Sequence, residues 1–215
     1  MTAPVIVMAK EPRPGRVKTR LCPPCSPEEA AAVAEAALAD TLAAVARCGA
    51  TRRVLALDGR PGPWLPPGFE VIEQRGEDFN ARLISAWTDA GGAGIQIGMD
   101  TPQVSAADLD GLLAVLDRSA AVLGHALDGG WWVIGWRQAD PSEVFTGIPM
   151  SAPTTGRAQE ARLLELGLRP HRAAPQRDID TVADLRAVAD GHPHLSTARV
   201  ARALRRALVG ADAVA

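Results

Sequence analysis

Six short apolar runs recur along the chain, separated by segments of helix length, and this alternation constrains the fold more than any other feature of the sequence. The runs are Val5–Met8 (VIVM), Val54–Leu57 (VLAL), Phe69–Ile72 (FEVI), Gly94–Gly98 (GIQIG), Ala121–Gly124 (AVLG) and Trp131–Trp136 (WWVIGW). Each is too short for a buried helix and is bounded by Gly, Pro or Asp, so each reads as a strand. The intervening segments carry helix signals. Ser26, Pro27 and Glu29 form an N-cap, a first-turn proline and a capping box for a helix running to about Cys48. Phe79, Leu83, Ile84 and Trp87 recur at helical spacing within Asp78–Ala90. Ser105 with Asp108 caps Ala106–Leu116, and Thr181 with Asp184 caps a helix to Ala189. Gly156–Leu166 and Thr197–Leu208 complete the set. Strands joined through helices run largely parallel, which predicts an α/β domain with a parallel sheet. The chain has 215 residues, no internal repeat and no low-complexity linker, so one domain over 1–190 accounts for it, with 191–215 as a C-terminal helical extension packed on the same body.

Composition removes several classes of function. Net charge is −2, which leaves no global positive field to hold nucleic acid or an anionic membrane. No apolar stretch approaches the length of a membrane span, and the opening MTAPVIVMAKEPRPG lacks the form of a signal peptide, so a cytoplasmic protein is expected. Three cysteines do not make a disulfide scaffold. Cys22 and Cys25 have the spacing of half a zinc site, but Cys48 and the histidines supply no matching second pair, so the thiols are expected to be incidental.

Lysine is the informative residue. The chain has 21 arginines and two lysines, and both lysines fall in one loop, Lys10–Arg20 (KEPRPGRVKTR). That loop sets Lys10, Arg13, Arg16, Lys18 and Arg20 against Glu11 alone. Following a strand and leading to a helix, it can bind a polyphosphate through charge-assisted hydrogen bonds, with Gly15 permitting close backbone approach. It is neither a Walker A loop nor a GxGxxG fingerprint, since Val17 precedes Lys18. A solvated basic surface is the alternative, and the absence of interleaved aromatics argues against base stacking.

Three further segments carry carboxylates. Asp100 ends an apolar strand and is followed by Thr101 and Pro102. In open α/β sheets the ligand lies beyond the carboxyl ends of the strands, where an aspartate can hold Mg2+ or Mn2+ or simply cap the turn. In LDGGWWVIG, Leu127–Gly135, Gly129 and Gly130 make a tight turn that presents Asp128. Alternation along the strand sends Trp131 and Trp132 to opposite faces, so one of them can line a pocket and the other belongs to the core. In RDIDTVADL, Arg177–Leu185, the capping box explains Thr181 and Asp184. Asp178 and Asp180, two apart on an extended segment, face one side and can complete an acidic metal site or remain solvated turn residues.

Taken in order, KxPxPGxVKTRL, a strand ending GxD[ST]P, DGGWWVIG and DIDTxxDL resemble the small bacterial GT-A-like transferases. Members of that family are described only as glycosyltransferase-like domains, or are named for arsenosugar biosynthesis or association with radical SAM proteins. The resemblance runs from about Val5 to Leu185. It implies a three-layer α/β/α nucleotide-diphospho-sugar transferase fold, Rossmann-like, with a mainly parallel mixed sheet, the nucleotide over the first strand and a divalent ion at the fourth. Asp100 matches the family's principal metal ligand, and Thr101 keeps the hydroxyl of the usual serine; with one aspartate at the strand-four position where many glycosyltransferases carry DxD, the metal site must borrow Asp128, Asp178 or Asp180, of which Asp178 and Asp180 are the expected further ligands. Lys18 and Arg20 match the loop on the diphosphate. Gln74–Leu83 (QRGEDFNARL) is similar to QxGxDLGxRM, with Phe79 and Asn80 in place of Leu-Gly, and Trp131 and Trp132 stand where tyrosines are usual.

The resemblance implies a metal-dependent transferase whose partners are a nucleotide-activated donor and a small-molecule acceptor. Glycosyl transfer would have the ion, Lys18 and Arg20 neutralise the leaving diphosphate while Asp128 takes the acceptor proton. Nucleotidyl transfer from an NTP is the alternative; the KTRL here resembles the KSRL of the phospholactate enzymes, whereas the LxAGxGxR-type loop of many nucleotidyltransferases is lacking. A non-catalytic nucleotide-binding protein is the third reading, and it follows if these side chains do not converge.

Overall fold

The computed structural model describes residues 3–204. Seven strands form one sheet: β1 (Val5–Lys10), β2 (Arg53–Asp58), β3 (Glu70–Glu73), β4 (Gly94–Gly98), β5 (Ala121–Ala126), β6 (Trp131–Trp136) and β7 (Pro170–Gln176). Their spatial order is β3-β2-β1-β4-β6-β5-β7. β1 lies parallel to β2 and β4, and β2 to β3, while β6 runs antiparallel between β4 and β5. β7 adds to β5 in parallel as the far edge. The sheet is mainly parallel, as the alternation predicts, and it is mixed and flanked by helices, as the family resemblance implies.

The helices are α1 (Pro27–Arg47), α2 (Phe79–Asp89), α3 (Ala106–Leu116), α4 (Pro141–Phe145), α5 (Thr155–Glu165), α6 (Val182–Gly191) and α7 (Ser196–Ala203). The capping boxes at Ser26, Ser105 and Thr181 all form, each with the N3 carboxylate returning to the cap backbone. The part of the predicted Thr197–Leu208 helix beyond Leu204 lies outside the described residues.

Strand alternation divides the core into two layers. Val5, Val7, Leu55, Leu57, Ile95 and Ile97 face α1 and α3, and the many alanines of α1 let that helix sit close to the sheet. Ile6, Met8, Val54, Ile134 and Trp136 face α2, α4 and α5, where Trp87 and Trp136 stack with centroids 3.5 Å apart. Burying each such side chain contributes roughly 1.5–3 kcal/mol. A third cluster joins Leu21, Cys25, Val33, Ile179 and Leu185 to Ala198 and Ala201 of α7, which fastens the chain around residue 179 to the body of the domain.

Two elements had no sequence expectation. β7 reads PHRAAPQ, with prolines at both ends of a polar run, and such a strand is tolerated because it pairs on one side only. α4 is five residues long, too short to show a period. Among the described residues no helix is long and apolar enough to cross a membrane.

Candidate active site

The carboxyl ends of β1 and β4 open into a cleft of about 690 Å³. Its basic side is the loop after β1. Val17 and Leu21 are buried and pin this loop to the core, and between them Lys18 adopts a left-handed backbone, φ 49°. The Lys18 side chain is thereby drawn inward, to 6% exposure, with its Nζ 2.7 Å from Asp100 Oδ1 and 3.3 Å from Asp180 Oδ1. Arg20 pairs with the other oxygen of Asp180 at 3.0 Å. Lys10 and Arg16 line the cleft and are exposed. Glu11 pairs with Arg13 and accepts the Arg60 backbone N–H, which ties the loop's start to the residues after β2.

The acidic side comes from three separated segments. Asp100 lies just past β4, and its carbonyl accepts the Ile179 N–H at 2.9 Å, which brings the DID segment alongside. Ile179 is fully buried, so Asp178 and Asp180 on either side of it face the cleft together. Gln103 fixes the approach by donating to the Arg177 carbonyl at 2.6 Å. Asp128 accepts the Gly130 N–H within the β5–β6 turn, and the Gly129 carbonyl accepts the N–H of Gly156 in α5. Gly129 has φ +95° and lies against the Pro153 carbonyl, so no side chain fits there. Oxygens of Asp128, Asp178 and Asp180 all lie within 4.8 Å of one another, and this is the one such group of possible ligands among the described residues.

The electrostatics follow from this crowding. Burial, with the neighbouring charges of Asp128, Asp180 and Asp100, pushes the Asp178 carboxyl up to about 6. Burial also acts to lower the Lys18 pKa, but Asp100 and Asp180 outweigh it and hold the ammonium above its ordinary value. Burial pushes the thiols of Cys25 and Cys48 up, and Cys22, Cys25 and Cys48 are all free.

The cleft therefore gathers Lys10, Arg16, Lys18, Arg20, Asp100, Asp128, Gly130, Trp131, Asp178 and Asp180. It does not gather Gly15, Thr101 or Gly129. Gly15 is an exposed turn residue with open space around its Cα. Thr101 is 3% exposed beneath the turn, and Gly129 is spent on the contact with Pro153. Trp131 lines the cleft, whereas Trp132 is buried with its indole N–H on the Ala174 carbonyl. Several lining residues carried no assignment from the sequence. Gln74 donates to the Ala9 and Ala56 carbonyls, tying together the ends of β1 and β2. Arg82 pairs with Asp58. Gln96 was legible as the one polar residue inside an apolar strand.

The fold is that of the nucleotide-diphospho-sugar transferases. A crystal structure of a candidate transferase of that class from Desulfovibrio desulfuricans G20 superposes with a TM-score of 0.88 at 24% identity, covering 98% of each chain. The chain belongs to the bacterial family described as "Uncharacterized protein conserved in bacteria (DUF2064)", whose profile matches residues 30–152. A nucleotidyl transferase from Methanothermobacter thermautotroptrophicus matches with a TM-score of 0.58 at 20% identity, over 88% of this chain and 97% of that one. A manganese complex of a Mycobacterium tuberculosis H37Rv protein matches at 0.53 and 21% identity, over 87% and 98%. A homoserine O-acetyltransferase of Rhodopseudomonas palustris (strain HaA2) is 28% identical over 163 residues, 67% of this chain; the chain spans 40% of that relative's length.

Proposed function

We propose that the protein is a divalent-metal-dependent transferase that uses a nucleotide-activated donor, moving a sugar from a nucleotide diphosphate sugar to a small acceptor. The observation that carries this reading is the Lys18 ammonium held between Asp100 and Asp180 at the edge of a carboxylate trio. Cation and anions placed side by side in one cleft suit a diphosphate bridged to the protein by an ion. Hard carboxylate oxygens at this separation fit Mg2+ or Mn2+, and the manganese-bound neighbour supports the choice. When bound, such an ion would supply positive charge to the diphosphate as the bond to the anomeric carbon breaks.

The chain's own residues do the rest. Asp178 and Asp180, two members of the trio, hold the ion, and Asp100, which shares Lys18 with Asp180, completes the acidic side of the site. Lys18 and Arg20 stabilise charge on the leaving diphosphate, with Lys10 and Arg16 orienting the nucleotide from the exposed rim. Asp128, held by its turn, accepts the acceptor proton. Nucleotidyl transfer is the second reading, supported by the name of the Methanothermobacter neighbour. The two are separated by incubating the protein and Mg2+ or Mn2+ with panels of NTPs and nucleotide sugars. Nucleoside diphosphate release supports glycosyl transfer and pyrophosphate release supports nucleotidyl transfer; release of neither defeats both.

A further inference from the structure

Gln96 sits mid-strand in β4, paired in register with Ile6 on one side and Ile134 on the other. It is 1% exposed, yet it lines the cleft. A primary amide among isoleucines is costly to bury unless its polar atoms find partners. One end has a partner: the Trp87 indole N–H, which can only donate, is bonded to Gln96 Oε1. That bond decides which end of the amide is oxygen. It leaves the Nε2 donors without an acceptor among the described residues, in a side chain that reaches the cleft floor.

The surroundings of this floor differ from the charged mouth. Met8, Trp131 and Met150 line the cleft and belong to, or pack on, the apolar cluster that contains Trp87, and Phe79 lines the cleft with them. Arg82, a cation of α2 that also lines the cleft, is paired with Asp58. Gln96 precedes Asp100 by four residues and β4 ends between them, so at the rise of a strand the two backbones lie at most about 13 Å apart. A neutral amide donor packed with the apolar cluster of Trp87 suits an uncharged oxygen better than a phosphate.

We propose that this arm of the cleft receives the acceptor, and that Gln96 selects an apolar acceptor body carrying one hydrogen-bond-accepting oxygen. The assignment of the arm to the acceptor rests on the transferase reading above; the selection by Gln96 does not. A site built around a buried donor rejects a ligand of the same shape that lacks the oxygen, because the donor is then left unpaired.

Cyclohexanone and methylenecyclohexane differ in that one oxygen and probe the site directly, with neither metal nor nucleotide present. In 15N-labelled protein, the Gln96 side-chain amide is assigned by its loss in Gln96→Glu. Cyclohexanone is expected to shift that resonance and to bind roughly tenfold more tightly than methylenecyclohexane. Gln96→Glu keeps an oxygen for Trp87 but has no amide donors, and it should bind the two alike. Gln96→Met, which conserves volume, should do the same and serves if the glutamate variant does not fold. Equal binding to the wild type, a preference that survives in the variants, or no binding of either probe at saturation overturns the proposal. A protein that turns over nucleotide sugars but fails this test refutes the role of Gln96 alone. A positive result without turnover leaves the donor-lined arm standing and removes the transferase reading.

Discussion

Lys18 Nζ lies 2.7 Å from Asp100 Oδ1, and the two partners are unequally placed: the lysine side chain is 6% exposed, the aspartate 39%. The lysine is the member that depends on the pair. Taking it away leaves carboxylates that water reaches, whereas taking away the acids strands an ammonium inside the protein. Lys18→Ala is therefore expected to cost about 1 kcal/mol, and Asp100→Asn with Asp180→Asn together about 3 kcal/mol, both by urea denaturation. Equal losses would contradict this asymmetry. Because the folded-state pKa of Lys18 is raised, its stabilising contribution is complete below the ordinary lysine value and is lost only as pH rises through the raised one. The gap between the variants should hold across the neutral range.

The same lysine stands beside the oxygens that would hold an ion. Asp180 is shared, lying in the carboxylate trio and in the contact with Lys18. A second positive charge at the site opposes a divalent cation, so Lys18→Ala should bind Mn2+ more tightly than the wild type, by roughly tenfold. Asp180→Asn should bind it more weakly by a similar factor. Electron paramagnetic resonance of free Mn2+ measures both. A lysine variant that binds Mn2+ more weakly would mean that Lys18 supports the ion and does not compete with it.

The turn that presents Asp128 depends on two glycines in different elements. The Gly129 carbonyl accepts the Gly156 N–H at 2.8 Å, and a Cβ on either residue would strike a backbone carbonyl, of Pro153 or of Gly130 respectively. Gly129 also has φ +95°. Gly129→Ala should destabilise the fold by about 2–5 kcal/mol, combining a disfavoured backbone with overpacking. Gly156→Ala meets only the overpacking and should cost about 1–3 kcal/mol. Thermal denaturation ranks them; the reverse order would place the strain in α5.

Gly129 and Gly130 of the Asp128 turn were legible because a tight turn into an apolar run needs them, whereas the contact of Gly129 with Gly156 was not. So were the capping boxes, since the local code and the local structure are the same few residues. The convergence of Asp128 with Asp178 and Asp180 was not legible. It depends on β6 inserting antiparallel between β4 and β5, and on the Ile179 N–H reaching the Asp100 carbonyl, contacts between distant segments that no local pattern encodes. Lys18 was singled out by scarcity, but its left-handed backbone had no signal, because that conformation ordinarily announces itself through glycine. The prolines of β7 hide it, and the only local sign of Gln96 is its polarity among isoleucines.

Asp184 tests how firmly the DID segment is held. Its carboxylate accepts from the Thr181 backbone and hydroxyl, completing the cap of α6, and pairs with Arg177 at 2.7 Å, so one side chain grips both ends of residues 177–181. Burial acts to raise its pKa, but the Thr181 hydroxyl, Arg177 and the backbone N–H groups overcome this and lower it. A carboxylate whose folded-state pKa is depressed stabilises the protein above its ordinary value and ceases to do so as pH falls through the depressed one. Asp184→Ala should therefore cost about 1 kcal/mol at neutral pH, as for the loss of a helix cap, and the difference from wild type should fade in acid. Because the Arg177 side chain is 41% exposed, water screens the ion pair and it adds little to that figure. Urea denaturation at neutral and acidic pH measures both limbs. A difference that is independent of pH would mean that the methylene packing of Asp184, and not its charge, holds Asp178 and Asp180 in place.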